Sequence, residues 1–97
     1  MHSARSLHDL VQVDINSELV HAFMLPLVAD DEVYAVRVRA RAREDGRWEG
    51  WLEFEPGRGG RALRTARETT QPSREALRYW ATGLELVYLQ GALQRAE

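Results

Sequence analysis

Cysteine and lysine are both missing from this chain. The first absence excludes disulfides and thiolate chemistry, and it fits a reducing, cytoplasmic setting. The second excludes a Schiff-base lysine and a P-loop lysine, since all 13 basic side chains are arginine. Long hydrophobic runs are missing too. The apolar stretch over residues 19–29 contains His21 and falls well short of the ~20 residues a membrane span needs. Asp9, Asp14 and Glu18 precede it, where a signal peptide would carry basic residues. His2, His8 and His21 have no metal-ligand spacing. His8 beside Asp9, with Ser17 further on, is close only in sequence, whereas a triad is defined by geometry. No catalytic residue, metal site or cofactor is therefore expected, and an enzyme is the least favoured class.

What the chain does contain is enough for one small domain over residues 1–97. It is 44 % hydrophobic and 29 % charged, the composition of a globular protein with one modest core. The net charge of −2 hides an uneven spread. Residues 1–32 hold one arginine against six acids, while residues 33–78 hold eleven arginines against seven acids. The middle is locally basic, which suits either a salt-bridged sheet face or a polyanion-binding one.

The register of a central hairpin follows from alternation. Tyr34, Val36, Val38, Ala40 and Ala42 alternate with Arg37, Arg39, Arg41 and Arg43. Trp48, Gly50, Leu52 and Phe54 alternate with Glu49, Trp51, Glu53 and Glu55. Period two puts each apolar set on one face. A three-residue Glu44-Asp45-Gly46 loop, a type I turn with a G1 bulge, sets Arg41 opposite Glu49, Arg39 opposite Trp51 and Arg37 opposite Glu53. A two-residue loop would slip the register by one and place arginines opposite apolar positions. Arg39 is expected over Trp51 as a cation–π pair. After the Gly-rich loop at residues 56–60, residues 61–69 have the length and threonine content of a third strand, of undefined register.

Residues 72–96 predict one long helix. Pro72 suits a first turn, hydroxyl caps surround it, Glu75 lies in the first turn and Arg95 in the last. Leu77, Trp80, Leu84, Val87, Tyr88 and Gly91 recur at helical spacing and form a face for the sheet. Leu86, Leu89 and Leu93, with Tyr79 before them, form a second stripe that needs another cover. Gly83 and Gly91 suggest close backbone approach, or a kink near Gly83.

The N-terminal segment, residues 1–30, predicts a short helical or mixed element. Residues 3–12 fit a helix, and Val11, Val13 and Ile15 fit a strand equally well. Asn16 or Ser17 is placed to cap a second short helix with Leu19, Val20, Phe23 and Met24 inward, ended by Pro26. Asp30, Asp31 and Glu32 read as a solvated linker before the sheet. The fold class is thus α+β: a three-stranded antiparallel meander over residues 33–70, packed on one long C-terminal helix.

Three segments carry a resemblance. Residues 48–54 (WEGWLEF), residues 67–72 (RETTQP), and Tyr79-Trp80-Ala81 with residues 88–93 (YLQGAL) resemble a group of small uncharacterised bacterial proteins over about residues 33–96. That resemblance implies no function. The element order is also similar to that of double-stranded-RNA-binding domains, which place a lysine cluster at the start of the last helix. Here that place holds Pro72-Ser73-Arg74-Glu75, so only the topology is shared.

Two functions compete. The first is a non-catalytic structural or protein-interaction module that self-associates as a homodimer through Tyr79, Leu86, Leu89 and Leu93. The N-terminal segment, through Leu19, Phe23 and Met24, is the competing cover for that stripe. The second is an RNA- or anion-binding module using Arg37, Arg39, Arg41 and Trp51, weakened by the predicted Glu49 and Glu53 partners. A subsidiary anion site is expected at the helix start, from Arg67, Thr69, Thr70, Ser73 and Arg74.

Overall fold

A computed structural model of the protein describes residues 17–97. The expectations for residues 3–15 lie outside the described residues. The described elements run β1 (Glu18–Ala22), β2 (Leu27–Ala29), β3 (Glu32–Ala42), β4 (Trp48–Pro56), β5 (Leu63–Arg64), β6 (Thr69–Gln71), α1 (Arg74–Thr82) and α2 (Leu86–Arg95). The class is α+β: the described residues form six strands in one antiparallel sheet and two helices packed on its apolar face.

The β3–β4 ladder has the register the alternation requires. Arg41 pairs with Glu49, Arg39 with Trp51, Arg37 with Glu53, Val38 with Leu52 and Val36 with Phe54. Its loop is closed by Gly46 N–H to the Arg43 carbonyl (3.1 Å) and Arg43 N–H to the Arg47 carbonyl (2.7 Å). Gly46 takes φ 88°, the left-handed position of a G1 bulge.

Two departures enlarge the expected meander. Residues 18–22 form strand β1 where a short helix is predicted. The spacing of Leu19, Val20, Phe23 and Met24 fits a helix because a β-bulge at Val20 disturbs the strand period: Leu19 opposes Arg39 while His21 opposes Val38. Asp30 and Asp31 form a tight two-residue turn, not a loose linker. Their φ values of 52° and 66° are those of a type I′ turn, and aspartate tolerates that region better than most residues. Ala29 and Glu32 pair across it. Strands β1 and β2 therefore lie end to end beside β3. On the other side, β5 and β6 lie end to end beside β4.

The single long helix is also corrected. The chain leaves α1 at Gly83, and Glu85 restarts α2 in an extended conformation (φ −104°, ψ 166°). Three non-helical residues change the helical phase. Leu89 and Ala92 consequently face the core, while Val87, predicted inward, is 73 % exposed. The core unites Val36, Val38, Leu52 and Phe54 of the sheet with Leu77, Ala81, Leu89 and Ala92 of the helices. Gly50 admits the close approach of α1, since a Cβ there would lie 3.0 Å from Leu77 Cδ1. Among the described residues no helix is long and apolar enough to cross a membrane.

Candidate interaction surface

The outer face of the sheet carries the arginines, and most are neutralised where they stand. Arg41 Nη2 donates to Glu49 Oε2 at 2.6 Å. Arg37 reaches Glu53 at 3.4 Å and also bonds Glu55. Arg43 contacts Asp45 and Glu49. The hydrogen bond from Arg41 holds the Glu49 carboxyl below the usual carboxylate range. Bonding to Glu55, reinforced by Glu53, holds Arg37 protonated above the usual guanidinium range. Arg39 does not lie over Trp51; it donates to the Ser17 hydroxyl (3.2 Å) and carbonyl (3.3 Å) at the start of β1. Arg41 and Arg64 take that place, at 5.3 and 4.5 Å from the Trp51 ring. Trp51 is only 3 % exposed, so its face is closed to a stacking base.

The helix-start residues are similarly occupied. Ser73 is the N-cap of α1, and its hydroxyl accepts from Ala76 N–H at 3.0 Å. Arg74 donates to Glu18 at 2.8 Å, tying α1 to β1. Thr69 accepts from the Gln71 amide at 2.7 Å, Thr70 of β6 pairs with Glu49 of β4, and Arg67 stands 4.0 Å from Glu49. The five residues are divided among capping, ion pairing and strand formation.

A polar network pins the end of α2. Glu68 Oε1 accepts from Tyr88 (2.5 Å) and Arg95 (2.6 Å). Burial tends to raise the Glu68 pKa, but the bonds from Arg95 and Tyr88 outweigh it and hold the carboxyl below its usual range. Burial and the bond to Glu68 push the Tyr88 phenol up to about 12. Beside this network, Arg64 and Glu97 exchange backbone hydrogen bonds of 3.3 and 3.0 Å.

The opposite end of α2 is different. Between β1 and β2 the chain bulges out through Met24, Leu25 and Pro26. There it meets the start of α2 across a groove of about 470 Å³, lined by Phe23, Met24, Leu25, Pro26, Leu27, Val36, Leu86 and Leu89. Every lining side chain is apolar. Met24 is 98 % exposed, Leu25 81 % and Leu86 60 %, with Val87 beside Leu86 in the chain. A second depression of similar size continues along α2 past Gln90, Leu93 and Gln94, facing Tyr34 and Leu63. The predicted stripe of Leu86, Leu89 and Leu93 thus borders both hollows. Leu89 itself is buried rather than available, and exposed Tyr79 lies apart on α1. Sequence reasoning missed Leu25, Pro26 and Leu27 as groove-lining residues, the first two at the surface and Leu27 buried beneath them. The signal was an unbroken apolar run around a proline, which fits neither a helix nor a strand period.

Among the described residues no group of His, Cys, Asp or Glu is gathered that could hold a metal ion. Searches against protein-family models, curated proteins and solved structures find no match to this chain.

Proposed function

We propose that this protein is a non-catalytic interaction module that self-associates. One observation carries the reading: a groove walled only by apolar side chains, with Met24, Leu25 and Leu86 largely exposed around it. Burying a large apolar side chain contributes about 1.5–3 kcal/mol relative to exposure, and such residues clustered on a soluble surface mark contact sites. The RNA- or anion-binding alternative has less support. Arg37 and Arg41 already have carboxylate partners, and Trp51 is covered. Sedimentation of the full chain from micromolar to millimolar concentration tests the reading. A mass that rises towards twice the monomer supports it; a monomer throughout refutes it. Low-salt titration with short RNA tests the alternative, which needs binding that weakens steeply with salt.

A further inference from the structure

Two copies of this chain in contact must satisfy a stricter condition than a pair of different proteins. A closed two-fold contact apposes one patch with itself, so a charge near its centre meets a like charge, and every protrusion needs a recess on the same patch. The groove face meets both conditions. No charged side chain lines the groove. The exposed Met24-Leu25 protrusion and the recess floored by Leu27, Val36 and Leu89 lie side by side. The area is adequate as well. The exposed parts of Met24, Leu25, Leu86 and Val87 together amount to on the order of 500 Å², the size of a contact patch on a soluble monomer. That is more than half of the roughly 800 Å² each partner contributes to a standard interface.

We propose that two copies pair about a two-fold axis on this face, each inserting Met24 and Leu25 into the other's groove against Leu86. The proposal rests on the self-association reading above and adds the surface and the geometry. Its occupant is a second copy; an apolar segment of another protein is the rival, excluded if the pairing below is found.

The test uses the full-length chain. Met24→Asp and Leu25→Asp alter side chains that are 98 % and 81 % exposed, so circular dichroism should match wild type, as should the urea midpoint at concentrations dilute enough for wild type to be monomeric. Each should weaken the dimer by roughly 30-fold or more, the scale of an interface hot spot. Ala62→Asp, on an exposed loop away from the groove, should leave it unchanged. A second measurement does not depend on added charge. The chain has no cysteine, so Leu25→Cys and Leu86→Cys variants can be mixed and oxidised. Reciprocal insertion predicts a mixed disulfide between the two variants in excess of either homodimeric one. A dimer that survives both aspartate variants, or that gives no mixed disulfide, overturns the proposal and leaves self-association through another surface. A monomer at all concentrations overturns both, even if it binds an apolar peptide in the groove.

Discussion

At its C-terminal end α2 is fastened to the sheet by polar groups that find partners within the chain. Glu68 takes hydrogen bonds from Tyr88 and Arg95, and the Glu97 backbone closes on Arg64. At its N-terminal end the same helix has no side-chain cap at Glu85 and presents Leu86 and Val87 to solvent beside Met24 and Leu25. The two ends are about ten residues apart and differ in kind. A charged or hydroxyl group is directional, so once its partner is in place it asks for nothing more. An apolar side chain stays unfavourable in water until something covers it. For this protein the quiet end is therefore the one whose charges are paired, and the end that leaves surface uncovered is the one beside a groove lined by apolar side chains alone.

Substitutions along α2 sharpen that contrast. The largest effect should come from Leu89→Glu, between the two ends. Leu89 is 7 % exposed within the core, so an unpartnered charge there should cost about 3–5 kcal/mol in urea denaturation. Glu68→Gln should cost about 1.5–3 kcal/mol, because it removes the charge from two hydrogen bonds at the pinned end.

The pH profile should report the same network at both extremes. The folded-state pKa of Glu68 is depressed, so its contribution is present above the unfolded value and is lost as pH falls through the folded value. Acid unfolding of Glu68→Gln should accordingly begin from a lower plateau and fall less steeply. Tyr88 is shifted the other way, from 10.0 to about 12. Its contribution is complete below pH 10 and is lost as pH rises towards 12, since the unfolded state gives up its proton first. Tyr88→Phe should flatten the stability curve across that window. The smallest effect on the folded monomer belongs to the open end. Leu86→Glu should stay within about 0.5 kcal/mol of wild-type monomer stability in urea. A loss comparable to that of Leu89→Glu would mean that both ends of α2 are parts of one core.

How much of this was legible in the sequence depended on whether a period ran unbroken. Nine alternating residues on one arm and eight on the other, with arginines facing glutamates, allow only one register for β3 and β4, because a slip would reverse both faces. Strand β1 escaped because the bulge at Val20 inserts one residue into the alternation, and the resulting spacing fits a helical turn as well. The helix break escaped for the opposite reason. Gly83 suggested a kink, but Gly83, Leu84 and Glu85 include no proline and the apolar spacing continues across them, so nothing local marks a full break or the size of the change of phase. That change is what moved Leu89 inward and Val87 outward. The groove needed both corrections at once: of its eight lining residues, Phe23, Met24, Leu25 and Pro26 come from the stretch read as a helix ended by proline, and Leu86 and Leu89 from the restarted α2. The charged face was readable as a ladder, but the covering of Trp51 by Arg41 and Arg64 depends on which diagonal neighbour reaches furthest. Pair registers do not decide that.

Among the described residues, both borders of the sheet are interrupted, one by the Val20 bulge and the Met24–Pro26 excursion, the other between Arg64 and Thr69. An uninterrupted border would be a template on which identical chains add strand to strand without limit, the route to fibres. Short broken borders deny that route. The apolar groove can then lie beside the excursion that interrupts one border, and if two copies pair there as proposed, crowding many copies together should yield closed pairs rather than growing polymers.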